Sequence, residues 1–248
     1  MTIIVHPSAA AQGRAAADAG VVLLREILAE QETATIALAA GSSQFAILEE
    51  LTVAPDLPWH RIRAFPLNEY VGLPVTHPSS FRRFLWERFE SQLPLPLRAF
   101  YHIDGVVEDP TTESVRVGRL LRDREIDVAF IGIGENGHLA FNDPPADFDT
   151  EEPYIVVELD ERCRQQQKSE GWFDTLDDVP HEAISMSVHR MMTSRHLICS
   201  VPDKRKAEAV QAAVEGEVTS RLPASILQQH ENCQLFLDEG SASLLKQA

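Results

Sequence analysis

The chain has 248 residues, and 44% of them are hydrophobic, which is enough apolar material for the core of one large domain. Its formal net charge of −16 and its pI of about 4.9 argue against binding to nucleic acids or to anionic membranes, because both need a basic surface. A binding site for an anion would therefore have to be built locally, from backbone N–H groups and a few cationic side chains.

Short apolar segments alternate with helical patterns along the chain. In chain order, the predicted elements are helix Ala9–Glu30, strand Thr35–Leu38, helix Ser43–Leu51, strand Ile62–Leu67, helices Ser79–Phe89 and Pro110–Arg124, strands Ile126–Ile131, Tyr154–Leu159, Ala183–Val188 and His196–Val201, helix Lys204–Glu215 and strand Gln234–Asp238. This alternation predicts a single α/β domain over residues 1–248, with a mainly parallel, Rossmann-like sheet flanked by helices on both faces.

The cysteines and the N-terminus bear on the cellular compartment. Cys163, Cys199 and Cys233 are far apart and form no C-x-x-C pair, which argues against a disulfide framework and a zinc site. The N-terminus lacks the cationic start of a signal peptide, and no apolar run reaches 18 residues. We expect a cytoplasmic protein that needs neither a metal nor a cofactor and does not bind a membrane.

The turn Gly41-Ser42-Ser43 follows a predicted strand and precedes a predicted helix. Backbone N–H groups at a helix start can hold a phosphate, and glycine lets a ligand approach the chain. The alternative is an ordinary serine N-cap. The glycine patterns of P-loop and dinucleotide-binding proteins do not occur, so a nucleotide ligand is disfavoured.

The segment from Asp127 to Pro144 is the most informative part of the chain. A continuous apolar run is interrupted by Gly132 and Gly134, and the polar groups of Asn136, His138 and Asp143 follow. In α/β proteins such groups form sites at the carboxyl edge of the sheet. The alternative is a tight connection whose polar residues only satisfy the turn.

Four segments resemble the glucosamine-6-phosphate deaminase (isomerase) family, and they span residues 35 to 240 in the family's order. Residues 132–144, G-I-G-E-N-G-H-L-A-F-N-D-P, are similar to its G-x-G-x-N/D-G-H-[I/L]-[A/G]-F-N-E-P motif. Residues 65–74, F-P-L-N-E-Y-V-G-L-P, are similar to F-N-M-D-E-Y-V-G-L-P. The early loop at residues 40–43 and the segment Leu222–His230 also match.

This resemblance implies an enzyme, classed as a hydrolase, that converts a hexosamine 6-phosphate to a ketohexose 6-phosphate and ammonia. The reaction requires ring opening and proton transfer from C2 to C1. The family's ring-opening histidine corresponds to His138, and its partner carboxylate, usually Glu, corresponds to Asp143. Asn136 stands where members have Asp or Asn. An imidazole suits general acid–base catalysis because its unperturbed pKa is about 6.5.

The resemblance also implies a phosphate site. It consists of the Gly41–Ser43 loop and a lysine that precedes alanine, which is Lys206, with Lys204 as a nearby competitor. The family's second phosphate ligand is an arginine, for which Arg162 and Arg164 are candidates. The expected partner is thus a small phosphorylated sugar, and homo-oligomer formation is left open.

Asn68 departs from the family pattern. The first residue of the family's D-E-Y triplet is the base that moves the proton between C2 and C1, and here the triplet is Asn68-Glu69-Tyr70. An amide has no usable basicity near pH 7. Three explanations remain: Glu69 acts as the base, a different reaction such as isomerisation or lactone hydrolysis occurs in the same pocket, or the protein is a non-catalytic sugar-phosphate sensor. The lactonase reading ranks lower because we expect S-L-F-P where this chain has F-N-D-P.

These assignments predict where the site lies. The strands ending near Leu38, Leu67, Ile131 and Val201 should converge on one pocket, because open α/β sheets bind ligands at their carboxyl edge. Its lining should include the Gly41–Ser43 loop and the side chains of Asn68, His138 and Lys206.

Overall fold

The computed structural model describes residues 1–246, so the last two residues of the predicted domain lie outside it. The α-helices are α1 (Ala9–Glu30), α2 (Phe45–Thr52), α3 (Phe81–Arg88), α4 (Pro110–Arg122), α5 (Glu161–Ser169), α6 (Val188–Met192) and α7 (Ala207–Glu215). The strands are β1 (Thr2–His6), β2 (Ala34–Leu38), β3 (Ile62–Pro66), β4 (Asn68–Tyr70), β5 (Ala99–Phe100), β6 (Val128–Ile131), β7 (Tyr154–Glu158), β8 (Glu182–Met186), β9 (His196–Val201) and β10 (Cys233–Asp238).

The main sheet has seven strands in the order β1-β10-β9-β6-β2-β3-β5, and neighbouring strands are parallel. Alternate residues of a strand face opposite sides, so β2 contributes to two cores. Ile36 and Leu38 pack with residues of α1, α2 and α3, whereas Ala37 packs with residues of α4 and α7. The predicted parallel sheet with helices on both faces is confirmed.

A second, smaller sheet was not predicted from the sequence. Strands β4, β8 and β7 pair in antiparallel fashion in that order. The segments Tyr154–Leu159 and Ala183–Val188 were expected to join the main sheet, and this expectation is corrected here. Apolar periodicity identifies a strand but not its partner, which is decided by long-range packing. The small sheet covers the main core through Tyr154, Ile184 and Met186.

Several elements were not predicted from the sequence. Helix α5 reads E-R-C-R-Q-Q-Q-K-S and lacks an apolar stripe, because its buried side chains are mostly polar. The very short β4 and β5 and the short α6 were also missed, as was β1. The predicted helices at Ser43 and Lys204 begin instead with 3₁₀ turns, Ser42–Gln44 and Lys204–Lys206, ahead of α2 and α7. In residues 1–246 we find no helix whose length and apolar content would let it cross a bilayer.

Candidate functional site

A polar cavity opens at the carboxyl ends of β2, β3, β6 and β9. Its empty volume, including the open mouth, is about 510 Å³. The residues lining it are Ala39, Ala40, Gly41, Ser42, Ser43, Gln44, Leu67, Asn68, Phe81, Gly132, Ile133, Gly134, His138, Ala140, Phe141, Gln166, Gln167, Glu170 and Lys206. The structure therefore brings together the Gly41–Ser43 loop and the side chains of Asn68, His138 and Lys206.

The Gly41–Ser43 loop does not use serine as an N-cap. Gly41 has φ = +107°, a conformation that an L side chain rarely adopts, and it begins the 3₁₀ turn without a side-chain cap. The Ser42 hydroxyl instead donates a hydrogen bond of 2.8 Å to Glu170 Oε2. Ser42 and Ser43 both line the cavity, and the Ser42 hydroxyl is already bound to Glu170.

Of the two candidate lysines, the structure places Lys206 in the cavity. Lys206 is buried, whereas Lys204 is exposed on the same turn. The turn begins after Asp203, whose φ is +86° and whose carboxylate accepts a hydrogen bond from the Arg205 amide. Burial lowers the pKa of Lys206, and the nearby Glu170, with Lys206 Nζ 3.5 Å from Glu170 Oε1, opposes that effect.

His138 and Asp143 form a buried pair. Nδ1 of His138 lies 3.2 Å from Asp143 Oδ1, although the ring N–H is not aligned as a hydrogen bond. Burial alone would raise the pKa of Asp143, but His138, the Asn136 amide and the backbone N–H of Asp160 together hold it below its usual value. An ionised carboxylate beside an imidazole orients the ring and stabilises its cation.

Asn136 holds His138 and Asp143 in place through hydrogen bonds. Its Nδ2 donates to Asp143 Oδ1 at 2.9 Å and to Asp160 Oδ2 at 3.1 Å, and its Oδ1 accepts from the His138 backbone N–H at 3.1 Å. Asp160 is the N-cap of α5 and accepts from the Cys163 amide. Asn136 is absent from the cavity lining, so it is placed as a positioning residue.

Gly134 is needed for the position of the imidazole. A Cβ atom at Gly134 would lie 2.2–2.4 Å from three atoms of the His138 ring, which is closer than such atoms approach. The backbone N–H of Gly134 also donates to the carbonyl of His138. The second glycine of the G-x-G motif therefore allows the histidine to fold back over the end of β6.

Asn68 and Glu69 occupy different environments, as expected for adjacent strand residues. Asn68 lines the cavity. The Glu69 carboxylate is bound at the start of α3, where it accepts hydrogen bonds from the Phe81 and Arg82 amides and the Ser80 hydroxyl. Burial raises its pKa, and these donors partly offset the rise. The Glu69 carboxylate is thus bound to the start of α3, and Glu69 does not line the cavity.

The two candidate arginines lie elsewhere. Arg164 is buried but donates to the backbone carbonyls of Leu176 and Val179, and Arg162 is exposed. Gln166 and Gln167 of the same helix, and its C-cap residue Glu170, line the cavity instead. Sequence reasoning missed these three polar residues because they follow no recognised motif and their helix has no apolar stripe.

One cluster offers potential metal ligands. Ligand atoms of His138, Asp143 and Cys163 lie within 4.8 Å of one another. Burial raises the pKa of the Cys163 thiol well above its usual value, and the charges of Asp143 and Asp160 raise it further. A metal needs the thiolate, so this environment is a poor fit to a soft divalent ion.

Comparison with known proteins agrees with this geometry. The family described as glucosamine-6-phosphate isomerases/6-phosphogluconolactonase matches residues 7–236. A glucosamine-6-phosphate deaminase of Exiguobacterium sibiricum is 37% identical over 231 residues, covering 90% of this chain and 86% of the relative. One of Streptococcus equi subsp. zooepidemicus is 36% identical over 223 residues, covering 90% and 92%.

Solved structures give the same result. A monomeric glucosamine-6-phosphate deaminase superposes with a TM-score of 0.90 at 27% identity, covering 98% of this chain and all of that one. A 6-phosphogluconolactonase of Thermotoga maritima has a TM-score of 0.79 at 16% identity, covering 96% and 98%, and this likeness shows the fold alone.

The fold and the cavity thus define an α/β protein with a polar site where four parallel strands end. The chain belongs to the family of glucosamine-6-phosphate isomerases and 6-phosphogluconolactonases, because the match covers nearly its whole length. The resemblance deduced from the sequence motifs is confirmed.

Proposed function

We propose that this chain is an enzyme that converts glucosamine 6-phosphate to a ketohexose 6-phosphate and ammonia. The observation that carries the proposal is the joint placement of His138 and Lys206 in one cavity, with Asp143 against the imidazole. Relatives that bear the deaminase name at 36–37% identity support this activity over lactone hydrolysis.

In the proposed reaction, His138 moves a proton to and from the ring oxygen while the sugar opens to its aldehyde form. Asp143 keeps the imidazole oriented and stabilises its protonated state. A proton then moves from C2 to C1, and the resulting imine at C2 takes up water and releases ammonia. The overall conversion consumes one water molecule, which is the sense in which the enzyme is a hydrolase.

The substrate's phosphate is proposed to bind at the end of the cavity formed by the Gly41–Ser43 loop and Lys206. A backbone loop and one buried ammonium provide attraction for an anion within a chain of net charge −16. A cytoplasmic location is proposed on the three free, buried cysteines, which suit a reducing compartment.

The test is incubation of the purified protein with glucosamine 6-phosphate while ammonia and ketose phosphate are followed together. We expect both products in equal amounts, and loss of about 10²–10⁴-fold in turnover for His138→Asn. Hydrolysis of a phosphogluconolactone without ammonia release would assign the lactonase activity instead. A ligand-induced rise in melting temperature without any turnover would identify a sensor.

A further inference from the structure

A carboxylate lies where the phosphate of the substrate is proposed to bind. Glu170 lines the cavity and accepts a hydrogen bond from Ser42 Oγ at 2.8 Å. Its Oε1 lies 3.5 Å from Lys206 Nζ. The two groups that would attract a phosphate are therefore both bound to an acidic side chain, which the sequence motifs did not reveal.

Glu170 is fixed in this position. Besides Ser42 and Lys206, Gln166 Nε2 donates to Oε1 at 2.7 Å, and Trp172 Nε1 donates to Oε2 at 3.3 Å. The side chain is only 6% exposed. Moving the carboxylate out of the cavity would break all four contacts and leave buried donors unsatisfied, which is costly. A ligand therefore has to bind beside the carboxylate.

The charge at this end of the cavity is balanced. Lys206 is paired with Glu170, while the neighbouring Arg205 is paired with Asp203 at 2.8 Å and lies 3.5 Å from Glu135. No side-chain cation among these three ion pairs is left in excess for an anion. A doubly ionised phosphate would thus meet an ionised carboxylate at close range, and like charges in a partly buried site repel strongly.

A phosphate that keeps a proton to donate avoids this repulsion from Glu170. A doubly ionised phosphate ester has only acceptor atoms, as does a carboxylate, so the two cannot form a hydrogen bond. The singly ionised ester keeps one P–OH group, which can donate to a carboxylate oxygen in a short, charge-assisted hydrogen bond. The remaining phosphate oxygens can accept from Lys206 and from the Ser42–Ser43 loop.

We propose that Glu170 is a specificity-determining residue that selects a C6 phosphate in its singly ionised form and rejects anionic esters that have no proton to donate. The proposal rests on the proposed function, since it assigns the phosphate of the substrate to this end of the cavity.

The ionisation of Glu170 supports the proposal. Burial would raise its pKa, but the Lys206 charge and the hydrogen bonds from Ser42, Gln166 and Trp172 outweigh that effect and lower it. The acidic and basic groups that interact with this pair from neighbouring elements are Tyr70, Glu135, Cys163, Asp203 and Arg205. Glu170 therefore remains a hydrogen-bond acceptor at neutral pH.

Two sugar esters that carry no amino group test the proposal without turnover to ammonia. Glucose 6-phosphate and glucose 6-sulfate are titrated calorimetrically into the wild type between pH 6 and pH 8. The second pKa of a phosphate monoester is about 6, so the singly ionised fraction, and with it the affinity for the phosphate ester, should fall by about 50-fold over this range. The sulfate ester, which has no proton to donate, should not bind measurably at any of these pH values.

Glu170→Gln should bind the sulfate ester and should lose most of the pH dependence for the phosphate ester. The sulfate ester does not titrate between pH 6 and pH 8, so its pH profile in this variant corrects for titrating groups of the protein. Glu135→Gln is the matched control, because it removes the same charge beside Arg205 but outside the cavity lining. It should keep the wild-type preference for phosphate.

Equal affinity of the wild type for both esters, or affinity for the phosphate ester that rises with pH, would overturn the proposal. Failure of the wild type to bind either ester would do the same. These measurements need no variant, so the proposal remains testable if Glu170→Gln does not fold. Discrimination between the esters without ammonia release from glucosamine 6-phosphate would instead refute only the deaminase function.

Discussion

Asn68 is the residue at which this site departs from its family's pattern. Asn68 lines the cavity, and it stands where the resemblance to the family implies a carboxylate that moves the proton between C2 and C1. Glu69 is held by the first turn of α3, so the neighbouring carboxylate is not positioned to replace it. The structure thus argues against the explanation that Glu69 acts as the base.

Asn68→Asp should therefore raise ammonia release from glucosamine 6-phosphate, by an amount approaching the 10²–10⁴-fold that a positioned general base typically contributes. The measurement is the initial rate of ammonia release at saturating substrate. Asn232→Asp, at an exposed position far from the cavity, is the control for the same chemical change. An unchanged rate in Asn68→Asp would show that proton transfer does not pass through this position.

Lys206→Ala should raise the KM for glucosamine 6-phosphate more than it lowers kcat, because phosphate contacts stabilise ground state and transition state alike. The increase in KM should be large, because the substitution also leaves Glu170 without its cationic partner. Lys204→Ala is the matched control, because Lys204 is exposed on the same turn. Equal effects of the two substitutions on KM would show that Lys206 contributes only to the general positive charge of this turn.

At the scale of elements, the start of α3 depends on a side chain from another strand. Glu69 in β4 accepts from two amides of the first turn and from the N-cap residue Ser80. The carboxylate thus satisfies N–H groups that a helix end leaves without partners.

Glu69→Gln should destabilise the fold by about 1–3 kcal/mol, because an amide accepts fewer hydrogen bonds and loses the charge. The kcat per folded molecule should stay within a few-fold of the wild type. Urea unfolding with parallel kinetics measures both quantities. Glu87→Gln, in an exposed ion pair with Arg83 on the same helix, should cost less than about 0.5 kcal/mol. A collapse of kcat in a folded Glu69→Gln protein would restore Glu69 as the base.

For the whole molecule, the buried carboxylates of Asp143 and Glu170 contribute to the loss of stability in acid. Both have pKa values lowered in the folded state, by partners that outweigh their burial. Such groups stabilise the fold above their unfolded pKa values, which are about 4, and the contribution is lost as pH falls through the lower folded values.

The free energy of unfolding of the wild type should therefore decrease as pH falls from about 5 to about 3. Asp143→Asn and Glu170→Gln should each have a smaller decrease over this interval, with lower stability at pH 7. The measurement is the urea midpoint as a function of pH. Glu152→Gln, at an exposed ion pair with Arg122, should retain the wild-type slope. A steeper slope in either buried variant would contradict this account.

The sequence by itself determined five of the seven strands of the main sheet and the centre of the site. Apolar runs such as Val128–Ile131 are local signals, and glycines at the end of a strand identify a turn without reference to the rest of the chain. The motif around His138 and the lysine–alanine pair at Lys206 were recognisable for the same reason, since each depends on a few contiguous residues.

Only the tertiary structure decided which side chains share the cavity. Glu170 reaches Ser42 across 128 positions of the chain, and Glu69 turns away because its neighbours in α3 supply donors. The antiparallel pairing of β4, β7 and β8 is likewise decided by which strands lie next to one another, and not by the periodicity of their sequences. Burial and pairing are properties of the packed chain, so no local pattern could have revealed that a carboxylate lies beside the lysine.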